Sequence, residues 1–246
     1  MWQIYEELIE AVPPDLRVER CLVGLNWTLV QSKNTGIAMT TVEGPRRSSL
    51  AGSIVGMPVR ELAKQIKSWN EVDAALGLAA INSVLNEVNH VREWNGALPT
   101  HYEEANAFTV LRDQVVGKRV SVIGHFPSLE SWKDICQLSI LERHPQDDDL
   151  PDPACEYLLP EQDFVFMTAT TLINKTFPRL LQLARKSRVI LVGPSTPMTP
   201  ILFQYGVDVL GGMIVTEAAS VWQAVGEGGD MELFRKGGLM VQMTAH

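Results

Sequence analysis

The sequence of 246 residues is poor in the features that announce a chemistry. It has three cysteines, Cys21, Cys136 and Cys155, far apart and without a CxxC spacing. That excludes a disulfide scaffold and a zinc site built from one segment, and it suits a reducing compartment. The five histidines (His90, His101, His125, His144 and His246) never approach HExxH spacing, so no transition-metal site forms within one stretch of chain. No serine sits in GxSxG and no strand runs into GxGxxG. The first absence removes the nucleophile-elbow signal, and the second disfavours bound NAD. Positive charge is also scarce: 21 Lys and Arg face 29 Asp and Glu for a net charge of −8, and no basic run is longer than two residues, as at Arg46-Arg47. Such a surface repels phosphate polymers and anionic lipid, so neither nucleic acid nor membrane is an expected partner.

No membrane span is expected. The uncharged stretch 189–207 is interrupted by Pro194, Pro197 and Pro200, and its centre is polar. Met1-Trp2-Gln3 leads into Glu6, Glu7 and Glu10, not into the basic-then-apolar order of a signal peptide. Material for a core is ample, with 46% hydrophobic and 20% charged residues. At about 150 residues per domain the length suits one or two domains. The expectation is a cytoplasmic protein acting on a small molecule, with a homodimer as the prior for its assembly.

Periodicity divides the chain. A short amphipathic helix over 2–12 is closed by Pro13-Pro14, which cannot continue the backbone ladder. Apolar runs over 18–30 and 37–42 flank the turn Lys33-Asn34-Thr35-Gly36 and predict two or three antiparallel strands. After a Gly-, Ser- and Pro-rich loop over 43–57, Pro58 opens a helix. Asn70 caps a second, in which Val72, Leu76, Ala80, Val84 and Val88 recur. Asn82, Asn86 and Asn89 form a stripe on it that reads as a solvated face. Leu98-Pro99-Thr100 marks a boundary between 1–100 and 101–246. Beyond it, strands over 120–123, 137–141, 163–167, 189–192 and 207–215 alternate with helices over 128–135, 177–185 and 217–225. That alternation predicts a mostly parallel sheet covered on both faces. The acidic run Asp147-Asp148-Asp149 reads as a solvated loop.

In a parallel sheet, ligands gather outside the carboxyl ends of the strands, and three of these ends have unusual content. Gly124-His125-Phe126-Pro127 offers a tight turn and the one histidine at a predicted strand end, a candidate acid or base near neutral pH. Glu142 ends the next strand, 18 residues beyond Gly124, where nucleotide-binding folds carry a ribose-binding acid. Thr168-Ala169-Thr170-Thr171-Leu172-Ile173-Asn174-Lys175-Thr176 holds more hydroxyls than helix capping needs, a group suited to an anion or a polar ring. A stiff companion, Gly193-Pro194-Ser195-Thr196-Pro197, follows the next strand.

Together these segments resemble the bacterial and archaeal family called the putative heavy-metal chelation domain. Val122–Pro127, Leu141-Glu142-Arg143, 168–174 and 193–197 carry the likeness. Upstream, Gly24-Leu25-Asn26-Trp27-Thr28, Ser68-Trp69-Asn70 and 74–82 resemble the small domain that precedes it. The resemblance implies an α/β chain: a small α+β, enolase N-terminal-like domain ahead of a Rossmann-like domain similar in part to methyltransferases. It implies a site at their junction, acting in condensation or hydrolysis of pterin-, flavin- or siderophore-like compounds connected with heavy metals. Ala169 and Lys175 stand where the family pattern expects glycine.

The candidate site then comprises His125, Thr170 and Asn174 as reacting groups. Asn26, Thr28, Gly124, Phe126, Glu142, Thr168, Thr171, Gly193, Ser195 and Thr196 are its ligand contacts, with Asn26 and Thr28 closing it from the front. No cofactor and no metal ligand is assigned. The rival expectation is a non-catalytic binder of a metal, or of a metal chelate, through oxygen ligands.

Overall fold

The computed structural model describes residues 2–41, 43–99, 105–127 and 129–245. Thr100 of the expected boundary, His101, His246, Val42 and Ser128 lie outside them.

The chain opens with helix α1 (Gln3–Glu10), which buries Ile4, Tyr5, Leu8 and Ile9. Strands β1 (Arg20–Val23), β2 (Trp27–Gln31) and β3 (Thr35–Met39) form an antiparallel sheet in that order. Helices α2 (Val59–Ala63), α3 (Glu71–Leu85) and α4 (Val88–Asn95) follow. Asn70 caps α3 as expected, its side chain accepting from the Val72 N–H at 3.0 Å. The helix ends at Leu85, so Val88 starts a new element and does not continue the periodic run. α3 is also buried nearly all round, from Val72 to Val84. It packs directly on β3 because Gly36 has no side chain: a Cβ there would lie 2.0 Å from the Ala79 carbonyl oxygen.

The second sheet contains β4 (Arg119–Ile123), β5 (Gln137–Glu142), β6 (Leu150–Pro151), β7 (Phe164–Thr168), β8 (Arg188–Val192), β9 (Val209–Val215) and β10 (Gly238–Thr244). Its order is β10-β9-β8-β7-β4-β5-β6, parallel except for the antiparallel β9–β10 pair. From β6 to β9 this is the 3-2-1-4-5-6 order of doubly wound folds, whose switch point lies between β4 and β7. Helices α5 (Ala107–Val110), α6 (Cys155–Leu158), α7 (Thr170–Ile173), α8 (Phe177–Leu183) and α9 (Ala218–Gly226) accompany it. The mostly parallel α/β architecture is as expected. Sequence reading missed the edge strands β6 and β10, and the helix expected over 128–135 is a single 3-10 turn, Leu129–Trp132.

One buried apolar cluster runs through both sheets, joining Tyr5, Leu8, Leu62 and Leu76 to Leu172, Met198 and Leu202. The Tyr5 hydroxyl donates to the Leu172 carbonyl at 3.3 Å. Among the described residues no helix is long and apolar enough to cross a membrane.

Candidate functional site

A hollow of about 1430 Å³ opens beside the carboxyl ends of β4, β5, β7 and β8, at the switch point where ligands are expected. Trp27 and Met39 of the first sheet, with Asn26 and Thr40 beside its strands, also line it.

Gly124 begins the turn that leaves β4. Its φ of +99° is costly for any side-chain-bearing residue, and its N–H donates to the Leu141 carbonyl at 2.9 Å. That geometry sends His125 and Phe126 to the hollow. Glu142, at the end of β5, fixes the turn from below: Oε2 accepts the His125 backbone N–H at 3.0 Å and Oε1 the Arg143 N–H at 2.8 Å. The amide that could meet a phosphate at this turn is thereby occupied by a carboxylate.

The imidazole of His125 is oriented by a residue that sequence reading assigned to a solvated loop. Asp149 Oδ2 lies 3.0 Å from His125 Nδ1, with the Asp149 side chain only 4% exposed and that of His125 41% exposed. The same oxygen accepts the Gln146 N–H at 3.2 Å. A carboxylate at Nδ1 selects the tautomer with its proton there and leaves Nε2 as the free acceptor. Asp149 was not legible as a site residue because its partner lies 24 residues away. An acidic run in a Pro-rich stretch carries no sign of which member turns inward.

The turn after β7 contributes Thr168, Thr170, Thr171 and Asn174 to the hollow. Thr168 and Thr170 share a hydroxyl pair at 3.0 Å. Thr171 is buried and donates to the Thr168 carbonyl at 2.6 Å, so its hydroxyl holds the turn. Asn174 Oδ1 accepts both the N–H and the hydroxyl of Thr176, which leaves the Asn174 amide nitrogen as its donor towards the hollow. Thr176 thus bonds to Asn174 and does not cap α8. Ala169, at φ −66°, fits without strain. Lys175 adopts φ +65°, the conformation for which glycine is suited. Its ammonium donates to the Ser68 and Ile173 carbonyls. Burial holds Lys175 down to about 8, against the opposing pull of Glu71.

Gly193 and Asn26 also line the hollow, and three expected contacts do not. Thr28 is fully buried with its hydroxyl 2.9 Å from that of Thr40. Ser195 is buried and accepts the Met39 N–H at 2.8 Å. Thr196 is fully buried. The reason is the presumed solvated stripe: Asn82 and Asn86 are buried, and only Asn89 is exposed. Asn82 donates to the Ile37 and Ser195 carbonyls. Asn86 donates to the Thr196 and Met213 carbonyls and accepts from Met198 N–H. These amides clamp the 193–200 turn to the first sheet. Across the mouth, Arg143 bridges Glu43 at 2.6 Å and Glu71 at 3.5 Å, a pairing with no sequence signal.

Two family models match the chain. The model of domain of unknown function 364, described as putative heavy-metal chelation, covers residues 106–244, and that of domain 4213, with the same description, covers 5–85. The chain belongs to the putative heavy-metal chelation family. An uncharacterised protein of Methanocaldococcus jannaschii is 30% identical over 192 residues, 73% of this chain and 70% of that one. A crystal structure of a family member of unknown function from Desulfitobacterium hafniense superposes with a TM-score of 0.92 at 37% identity. It covers 100% of this chain and 99% of that chain. A Pyrococcus horikoshii member shares the fold, with a TM-score of 0.83 at 24% identity over 98% of both chains.

The family description raises a resident metal, and the described residues do not fit one. Among them no group of three or more His, Cys, Asp or Glu side chains is placed to hold a metal ion. Cys21, Cys136 and Cys155 sit in three different places, each with its thiol pushed up by burial, to about 11 for Cys21 and about 12 for Cys155. Thiols so held stay protonated and are poor metal ligands.

Proposed function

We propose that the hollow binds a small organic molecule and that His125, oriented by Asp149, moves a proton to or from it. The observation that carries this reading is the buried Asp149 carboxylate at His125 Nδ1. It leaves Nε2 as a base towards a space lined by Thr168, Thr170 and Asn174. In this reading Thr170 and Asn174 supply hydrogen bonds to the polar edge of the ligand, and Phe126 packs on its apolar part. Glu142 serves the ligand indirectly, by fixing the Gly124–His125 turn. Condensation or hydrolysis of pterin-, flavin- or siderophore-like compounds is the reaction class we infer, with any heavy metal carried by the organic ligand. We read residues 1–100 as an enolase N-terminal-like unit and 101–246 as the Rossmann-like unit, working as a cytoplasmic homodimer.

A thermal-shift screen with pterins, flavins and catechol-type chelates, with and without metal, tests this. At least one class should stabilise the protein, and His125→Ala and Thr170→Ala should abolish that shift while the apo melting temperature stays near wild type. A fall in apo stability with the ligand shift intact overturns the proposal. The second reading, a non-catalytic binder of a metal chelate, gains support from the lack of a protein metal cluster among the described residues. It requires the bound molecule to be recovered unchanged after incubation.

A further inference from the structure

The outer edge of the three-stranded sheet carries features that the hollow does not use. β1 is an edge strand. Glu19 N–H and Arg20 both stand opposite Gln31, so the strand begins with a β-bulge. Beyond it, the Gly24 N–H donates to the Trp27 carbonyl at 2.9 Å, and Leu22 faces Leu29. The antiparallel alternation therefore turns the backbone N–H and C=O groups of Cys21 and Val23 away from β2. Upstream, the same outward side is already covered: Val18 exchanges backbone hydrogen bonds with Gly56 and Met57 at 2.8 and 2.9 Å. That cover stops before Cys21. Among the described residues, the outward groups of Cys21 and Val23 meet no hydrogen-bond partner.

Where the cover stops, a groove of about 480 Å³ begins, floored by Cys21, Ile54 and Val72. Val23 and Val55 on its walls are 42% and 65% exposed. Its described lining contains Arg46 and Arg47 and no acidic residue, in a chain of net charge −8. Both arginines are exposed and have no ion pair among the described residues. The other arginines near this edge are committed: Arg17 donates to the Gly56 carbonyl, and Arg20 stacks 4.2 Å over Trp222.

The loop that presents Arg46 and Arg47 is held by the protein. Asp73 is 2% exposed and accepts the Ser48 hydroxyl at 2.6 Å, the Ser49 hydroxyl at 2.7 Å and the Ser49 N–H at 3.2 Å. Asn70 donates to the Arg47 carbonyl at 2.9 Å. A buried carboxylate spent on a surface loop presents two cations in a fixed place beside an unfinished sheet edge.

We propose that this edge is a docking site for an extended, carboxylate-bearing peptide segment of another protein, which adds as a strand to β1. Cys21 and Val23 supply its backbone hydrogen bonds, Val23 and Val55 take its apolar side chains, and Arg46 and Arg47 take its carboxylates. Charge complementarity selects this occupant over a second copy, whose surface is itself acidic only in net and offers the same two arginines to the axis.

The probe is a fluorescein-labelled synthetic hexapeptide alternating valine with aspartate, measured by fluorescence anisotropy against its valine–lysine counterpart on the full chain. The aspartate peptide should bind with saturation below about 1 mM, and the lysine peptide should not. The double variant Arg46→Gln/Arg47→Gln should weaken binding at least about tenfold. Val23→Pro removes one outward N–H at an edge position that tolerates proline, and it should weaken binding while leaving the melting temperature close to wild type. Binding by both peptides alike, or binding indifferent to the arginine pair, overturns the proposal. So does a dimer in sedimentation that Val23→Pro dissolves, because the edge then belongs to a second copy.

Discussion

Two polar turns leave neighbouring parallel strands at the same edge of the sheet: 168–176 after β7 and 193–200 after β8. In sequence they are alike, each rich in hydroxyls and each following an apolar strand. In the structure the first opens onto the hollow through Thr168, Thr170 and Asn174. The second reaches it only through Gly193 and Pro194 and is sealed beyond them, with Ser195 and Thr196 buried beneath α3 and β3. The carboxyl-edge rule locates where a ligand is able to bind. Which strand end stays open depends on what the rest of the chain lays over it. Here two asparagine amides decide, by satisfying the backbone of one turn and leaving the other to solvent.

The largest test of that contrast is Asn86→Ala. It deletes three buried hydrogen bonds, to Thr196, Met213 and Met198, and strands their backbone partners. A loss of about 3 kcal/mol in urea-denaturation stability is expected. A loss under about 1 kcal/mol would mean that the sealed turn holds itself without the clamp.

Next comes Lys175, in the open turn. Its folded value of about 8 lies below the usual lysine value near 10.4, so between those values the unfolded chain binds more protons. The Lys175 contribution to stability then rises as pH climbs through that window, by about 1–2 kcal/mol after solvent screening. Lys175→Met should remove this rise, read as the difference in denaturation midpoint between pH 8 and pH 10. An unchanged slope would show that the ammonium is not held against its preference.

The smallest effect separates the two hydroxyls directly. Thr170→Ala should leave stability within about 0.5 kcal/mol, whereas Ser195→Ala removes the acceptor of the Met39 N–H and should cost about 1 kcal/mol. Equal losses in calorimetry would erase the distinction between an open and a sealed turn.

The alternation of strand and helix, the Asn70 cap, the tight Gly124 turn and the strand-end location of His125, Glu142 and Thr170 were all legible in the chain. Each depends on residues within a few positions of one another, where periodicity and turn chemistry act. The short edge strand β6 was not legible, because two residues give no period to read. Asn82 and Asn86 were misread for a different reason: helical spacing assigns a stripe to one face but does not say whether that face meets water or another turn.

The sequence by itself therefore determined the parallel sheet, the glycine turn and the set of polar strand ends from which a site is drawn. Only the tertiary structure decided that Asp149 turns inward to His125, that Arg143 bridges to Glu43 and Glu71, and that Ser195 and Thr196 are closed off. Those outcomes join groups separated by 24 to 156 residues. A buried polar group takes whichever partner the packed core brings within hydrogen-bond reach, and that partner leaves no trace in the local sequence.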